Sequence, residues 1–168
     1  LFLNGEPLAA LPKRLVIRTA EGDGAGIALD CVKRGYGTPV YEGALEVWPA
    51  EDGFYLVNEL PFETYLKYVV PSEMPSGYEK EALKAQAVCA RTYACKQLQT
   101  YDYPECEAHV DDSVSYQVYN NTGAAESTSQ AVDETAGLIL TCEGLPVTAY
   151  YFSTSCGHTT DGSAWGTD

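Results

Sequence analysis

The strongest constraint on the fold is the longest segment with helical periodicity, which covers residues 78–100. Five apolar residues recur along it at helical spacing and form one stripe: Leu83, Ala87, Ala90, Ala94 and Leu98. Small or apolar residues also cover much of the remaining circumference, so a helix here needs neighbours on several sides, packed close against the alanines. We therefore expect a helix that is largely enclosed by strands, with Ala94 and Cys95 both buried.

Strand-like segments lie on both sides of this helix. Before it, four short runs are rich in β-branched and aromatic residues and are separated by Gly-rich breaks: residues 14–19, 27–33, 40–48 and 54–58. After it, residues 138–142 and 147–153 flank a Glu-Gly turn and predict a hairpin. Residues 101–131 show no strong periodicity and predict a long polar connection. The fold class that follows is α+β: an antiparallel, β-rich single domain around one long, largely buried helix.

Composition narrows the classes of function. The chain has 168 residues, 45% of them hydrophobic, which is enough for the core of one ordinary domain. Ten Lys and Arg against 24 Asp and Glu give a formal charge of −14, which disfavours a nucleic-acid or anionic-membrane partner. The sequence starts without Met or a signal sequence. We expect residues 1–168 to be one domain from a longer secreted or membrane-anchored protein.

The stretch VVPSEMP, residues 69–75, places one carboxylate between two prolines. Proline disfavours the helical region for the residue before it, so both Val70 and Met74 are expected to be extended. The pattern predicts a short helix that stops at Pro71 and a rigid, non-helical corner that fixes the direction of Glu73. The alternative is a turn whose Glu73 faces water near the start of the next helix.

Arg91 and the cysteines also need an explanation. Arg91 lies inside the apolar helix, where an unpaired guanidinium would be costly, so we expect it to meet either a substrate group or a structural carboxylate. Six cysteines are an even number, but their spacings form no recognisable disulfide framework.

Several motifs together resemble one known family. The segments NELPFETYLKYVVPSEMP, EALKAQAVCARTYA, YQVYNN, AVDETAGLILTCEGLPVTAYYFSTSCGHT and AWG follow in the order typical of the SpoIID/LytB domain, the family of stage II sporulation protein D and the amidase enhancers. The resemblance implies an extracytoplasmic, cell-wall or spore-associated bacterial protein that acts on peptidoglycan. It also implies that Glu73 matches the essential Glu of lytic transglycosylases, and it places Gln117, Tyr119, Ser153 and Ser155 near Glu73, where with Arg91 they are expected to bind substrate.

One carboxylate suffices for the implied reaction. A lytic transglycosylase can use the same group first to protonate the leaving oxygen and then to accept a proton from the sugar hydroxyl that closes an anhydro ring. We therefore expect Glu73 to cleave glycan strands, among them strands stripped of stem peptides, to 1,6-anhydro ends. The alternative is a non-catalytic wall-binding module that enhances an amidase. Expected partners are peptidoglycan glycan strands and a cell-wall amidase or other sporulation proteins.

No cofactor is required for this chemistry, but a zinc site is one reading of the cysteines and histidines. The resemblance implies zinc in some family members, held by Cys and His just before the counterpart of QVY, where this chain has VDDSVSY instead. Cys106, His109, Cys156 and His158 could together form a tetrahedral two-Cys, two-His site. A Cys106–Cys156 disulfide or two free thiols are the alternatives.

Overall fold

The computed structural model describes residues 2–3, 6–7, 13–19, 26–35, 37–152 and 154–165. The part of the chain before the helices contributes short antiparallel strands: β1 (Phe2–Leu3), β2 (Glu6–Pro7), β3 (Leu15–Arg18), β4 (Ile27–Ala28), β5 (Val40–Tyr41), β6 (Ala44–Ala50) and β7 (Gly53–Glu59). β3, β6 and β7 form a three-stranded sheet in that order, while β1 pairs with β2 and β4 with β5. The antiparallel character predicted for this region is confirmed.

Two of the predicted strands are shorter than expected. The run 40–48 divides into β5 and β6 at Gly43, which has a φ of 75°. A Cβ on Gly43 would lie 2.3 Å from the carbonyl oxygen of Glu59, so the chain can bend there only with glycine. The run 27–33 was predicted wrongly beyond Ala28, because the chain turns at once and Val32 donates a backbone hydrogen bond to Leu29.

Three helices follow in the described part of the chain: α1 (Phe62–Glu73), α2 (Lys80–Gln97) and α3 (Glu126–Glu134). α2 is the long helix predicted from the alanine stripe, and it packs against both α1 and α3. Leu66, Val69, Ala87, Ala90 and Val132 are fully buried where the helices meet. The alanines let the neighbouring helices approach closely, as the sequence pattern predicts.

The surroundings of α2 differ from the prediction in two respects. Other helices, rather than strands, make most of its contacts, and β9 (Leu145–Pro146) packs against it from the last sheet. Ala94 is buried as predicted, but Cys95 is only half-buried. The mixed α+β class is confirmed, although the long helix is one of three that share the core.

The region after α2 contains a helix that the sequence pattern missed. The connection predicted for residues 101–131 includes the first residues of α3, so that prediction was wrong over 126–131. The Glu-Gly hairpin turn is confirmed: β8 (Thr141–Cys142) pairs with β9 around Glu143 and Gly144, which have φ values of 52° and 81°. The strands predicted over 138–142 and 147–153 are wrong in extent, because the pairing stops after two residues on each side and residues 138–140 and 147–152 are not strand. A short 3₁₀ turn covers Gly162–Trp165. No helix in the described residues has the length and apolarity of a membrane span.

Candidate active site around Glu73

Glu73 is the last residue of α1, so the predicted non-helical corner is wrong. The helix continues through Pro71, and Val70 is helical rather than extended. One proline is tolerated in the last turn because it removes a single backbone donor, and the Met74 N–H still donates to the Val70 carbonyl at 2.9 Å. Met74 is extended, with φ −135° and ψ 130°, as expected before Pro75. The rigid break therefore falls directly after Glu73.

A backbone donor holds the Glu73 carboxylate. The Val118 N–H donates to Glu73 Oε1 at 2.7 Å, and the Glu73 side chain is half-buried. This contact joins the end of α1 to the YQVYNN segment, 45 residues further along the chain. One oxygen of the carboxylate is thus fixed in position by the backbone.

Two tyrosines and one glutamine form the polar wall beside this carboxylate. Gln117 Oε1 accepts a hydrogen bond from the Tyr65 hydroxyl at 3.2 Å, and Gln117 Nε2 donates to the Tyr151 hydroxyl at 3.1 Å. Burial raises the pKa of Tyr65, and the neighbouring Tyr151 and Glu73 raise it further. Burial also raises the pKa of Tyr151, partly offset by the Gln117 donor and reinforced by Glu73. Both hydroxyls are therefore protonated at neutral pH.

Gln117 and Tyr119 lie in this region but are enclosed by protein. Gln117 is 1% exposed, and its Nε2 also donates to the Ala90 carbonyl at 3.2 Å. Tyr119 is stacked on Tyr65 with ring centroids 5.4 Å apart, and its hydroxyl donates to Asn58 Oδ1 at 2.6 Å. The structure thus brings both residues close to Tyr65, as parts of the packed wall rather than as exposed groups.

Arg91 lies away from Glu73 and meets a structural carboxylate, the second of its two expected partners. Its Nε and one terminal nitrogen each donate to Glu63 at 2.9 Å. The other donors reach Thr135 Oγ1 and the carbonyls of Val132 and Leu138. Because Arg91 is 1% exposed and its donors are occupied, its contacts are those of a structural residue and offer nothing to a substrate.

The two serines give less information. Ser153 lies outside the described residues. Ser155 is exposed, and its hydroxyl accepts a hydrogen bond from the Gly157 N–H at 3.3 Å. The predicted placement of these serines near Glu73 stays a prediction.

The four candidate zinc ligands are not assembled into a site. Cys106 is buried, with its Sγ directed at the Tyr103 carbonyl, while the His109 ring lies 4.5 Å from that of Tyr101. Cys156 and His158 are exposed. Within the part of the chain that the structure describes, no group of three or more His, Cys, Asp or Glu side chains could hold a metal ion. All six cysteines are free thiols, which is one of the alternatives to zinc.

A cavity of about 850 Å³ is lined in part by the stacked pair Tyr65 and Tyr119. Six tyrosines are among the residues that line it: Tyr41, Tyr55, Tyr65, Tyr101, Tyr103 and Tyr119. Glu73 is not among the described residues that line this cavity, although Tyr65 both lines it and lies near Glu73. Tyr65 is therefore the residue that links the surroundings of Glu73 to the cavity.

Sequence reasoning singled out Glu73 and Gln117 as candidates, but not Tyr65 or Tyr151, whose hydroxyls the structure hydrogen-bonds to Gln117. Tyr65 is four residues before the buried Val69, which is itself four before Glu73, and this helical spacing was a usable signal. Tyr151 is 34 residues from Gln117, and nothing local in the sequence links them.

Comparison with known proteins places the chain in a family. The model of the family SpoIID, described as stage II sporulation protein, matches residues 50–142. The chain is 34% identical over 179 residues to the stage II sporulation protein D of Bacillus subtilis, covering 94% of this chain and 52% of that protein. It is 43% identical over 122 residues to an uncharacterized protein of Brachyspira hyodysenteriae, covering 72% of this chain and 33% of that protein.

An amidase enhancer of Bacillus subtilis is also similar, with 42% identity over 94 residues, or 56% of this chain and 12% of that protein. The chain thus spans about half or less of the length of these relatives. Three observations indicate the same family: the match to the family model, the long alignment with stage II sporulation protein D and the order of the motifs. This chain belongs to the SpoIID family of stage II sporulation proteins.

Proposed function

We propose that the chain is a peptidoglycan lytic transglycosylase in which Glu73 is the single acid and base. The observation that supports this most directly is the half-buried Glu73 carboxylate, held by the Val118 N–H beside two protonated tyrosines. A carboxyl group held in one orientation, partly out of water, is the arrangement that proton transfer to a glycosidic oxygen needs.

The Val118 contact determines which oxygen carries the proton. Oε1 accepts the hydrogen bond from Val118, so in the acid form the proton lies on Oε2. Glu73 Oε2 then protonates the glycosidic oxygen as its bond to the anomeric carbon breaks, leaving an oxocarbenium-like sugar. The 6-hydroxyl of the same sugar bonds to that carbon and returns its proton to Oε2. A 1,6-anhydro ring forms and no water is consumed.

The names of the relatives support a cellular process and a location for this activity. Proteins named stage II sporulation protein D in two Bacillus species are 34% and 36% identical to the chain. On this basis we assign the chain to cell-wall remodelling during sporulation, outside the cytoplasm at the wall or the spore. Its substrate is then the glycan strand of peptidoglycan, and a cell-wall amidase or another sporulation protein is its partner.

A second candidate is a non-catalytic module that binds glycan and enhances an amidase. The similarity to an amidase enhancer favours it, as does an aromatic-lined cavity that does not include Glu73. Tyrosine rings offer flat faces on which sugars can stack. In this reading Glu73 has only a structural role at the end of α1.

Digestion of peptide-stripped peptidoglycan in water enriched in oxygen-18 separates the candidates. The transglycosylase predicts products that end in 1,6-anhydro-muramic acid and contain no heavy oxygen at the cleaved carbon. Reducing ends labelled with oxygen-18 would indicate hydrolysis and exclude the single-Glu route. Glycan that is bound but left intact would favour the binding module.

A further inference from the structure

Two backbone amides of the YQVYNN segment donate to adjacent residues at the end of α1. The Val118 N–H reaches Glu73 Oε1 at 2.7 Å, and the Asn121 N–H reaches the Ser72 hydroxyl oxygen at 3.0 Å. The donors and acceptors are 45 and 49 residues apart along the chain, so both bonds fix this segment against the helix end. The bond to Ser72 therefore helps to hold the segment that supplies the backbone donor to Glu73.

The Ser72 hydroxyl acts as the acceptor in this contact because its own hydrogen is used within α1. A hydroxyl has one hydrogen to donate, and that of Ser72 goes to the carbonyl of Tyr68, four residues earlier, at 2.7 Å. The oxygen is left to accept the Asn121 N–H. Alanine at position 72 would remove both bonds, whereas threonine carries a hydroxyl that can make both.

The same segment is held by two further side-chain bonds. The Thr122 hydroxyl donates to the Pro71 carbonyl at 3.1 Å, and Pro71 is in the last turn of α1, where carbonyls lack helical donors. Asn120 is 4% exposed, and its Nδ2 donates to the Val40 carbonyl at 2.9 Å. Asn120 has a φ of 54°, in the left-handed region that Asn tolerates. The segment is thus anchored to β5 on one side and to α1 on the other.

We propose that Ser72 is a positioning residue that keeps the Val118 N–H on Glu73 Oε1. The inference rests on the proposed function of Glu73 as acid and base. Because Val118 holds one oxygen of the carboxyl group, the other oxygen meets the glycan from one direction. Ser72 acts through the segment that it holds, so loss of its hydroxyl leaves Glu73 in place but releases the orientation of its carboxyl group.

Ser72→Ala and Ser72→Thr form the test pair, with peptide-stripped glycan as the substrate. Misplacing a catalytic group by about 1 Å lowers the rate about 10²-fold. For Ser72→Ala we expect kcat to fall about 10-fold to 10²-fold, with KM within about twofold of the parent. Ser72→Thr keeps the hydroxyl, so its kcat should stay within about threefold of the parent.

Thr92→Val is the matched control, because Thr92 makes the same two kinds of bond on α2. Its hydroxyl donates to the Val88 carbonyl at 2.6 Å and accepts from the Leu140 N–H at 2.9 Å. Valine keeps the shape but removes both bonds, so the melting temperature should fall while kcat stays within about twofold of the parent. Equal losses of kcat in Thr92→Val and Ser72→Ala, or a raised KM with unchanged kcat in Ser72→Ala, would overturn the proposal.

The Val118 amide gives a readout that does not require activity. An amide proton that is bonded to a carboxylate resonates downfield and is protected from exchange with solvent. In Ser72→Ala we expect the Val118 proton to move upfield and to exchange faster. In Ser72→Thr and Thr92→Val it should keep its parent values. An unchanged Val118 amide in folded Ser72→Ala would overturn the inference.

Thr122→Val is a second variant that loosens the same segment. It removes the donor to the Pro71 carbonyl and should move the Val118 amide in the same direction as Ser72→Ala. If Ser72→Ala does not fold, an unmoved Val118 amide in Thr122→Val overturns the inference. A parent that leaves glycan intact would overturn the proposed function of Glu73 instead, and the Val118 amide would still decide whether Ser72 holds it on the carboxylate.

Discussion

The guanidinium of Arg91 on α2 holds the carboxylate of Glu63 on α1 through two hydrogen bonds of 2.9 Å each. The same guanidinium donates to the Val132 carbonyl and to Thr135 Oγ1 at the end of α3. One buried cation therefore connects all three helices of the described chain. Its removal would leave a carboxylate and several backbone acceptors without their donor.

Arg91→Ala should be strongly destabilising. Breaking a buried ion pair by removing one partner costs on the order of 3–5 kcal/mol, and the Glu63 side chain is 38% exposed, so we expect about 3 kcal/mol. Denaturant unfolding measures this difference. The control is Arg18→Ala, which removes an exposed pair with Glu59 and should cost less than about 1 kcal/mol. Equal losses in the two variants would contradict the structural role of Arg91.

The buried tyrosines predict a loss of stability at alkaline pH. Burial, with the hydrogen bond to Glu42, raises the pKa of Tyr68 from 10.0 to about 12. The folded state therefore binds this proton more tightly than the unfolded state. The resulting stabilisation is complete below pH 10 and is lost as the pH rises through 12.

The measurement is the free energy of unfolding between pH 9 and pH 12, with tyrosine ionisation followed by ultraviolet absorbance. The stability of the parent should decline over this interval. In Tyr68→Phe the decline should be less steep. An identical slope in the two proteins would show that Tyr68 titrates normally in the folded state.

The main elements of the fold follow from local patterns. The alanine stripe predicted α2, and the Glu-Gly pair predicted the β8–β9 turn, because a positive φ at both residues is a local requirement. α3 was missed because its nine residues are mostly Ser, Thr, Gln and acidic, and only Ala131 and Val132 are buried apolar residues. A periodic apolar face cannot be recognised from two residues.

The rate at which each cysteine reacts with a thiol reagent should follow its exposure to solvent. Cys31, Cys142 and Cys156 are exposed, whereas Cys106 is buried and burial raises the pKa of its thiol. Because the thiolate is the reactive form, Cys106 should react with a thiol reagent far more slowly than the exposed three. Modification of the native protein followed by peptide mass spectrometry checks this. Fast labelling of Cys106, or a disulfide between Cys106 and Cys156, would contradict the structure.

Only part of the candidate site could be predicted from the sequence. The motif singled out Glu73, but it did not predict that Glu73 is helical. Whether Pro71 stops the helix or is tolerated in its last turn depends on where the helix ends, and here it ends two residues later. Glu63, which pairs with Arg91, is 28 residues away from it, and Tyr151, which accepts from Gln117, is 34 residues away. Which polar groups meet over such separations is decided by helix packing, which no local pattern encodes.

Glu73→Gln tests the central claim most directly. The carboxamide keeps the size of the side chain and an oxygen that can accept from the Val118 N–H, but it removes the transferable proton. The measurement is mass spectrometry of peptide-stripped glycan after digestion by parent and variant at equal folded fraction, established by thermal melting. We predict anhydro-ended products from the parent, none above background from Glu73→Gln, and similar melting temperatures. Continued cleavage by Glu73→Gln would contradict the account and return Glu73 to a structural role.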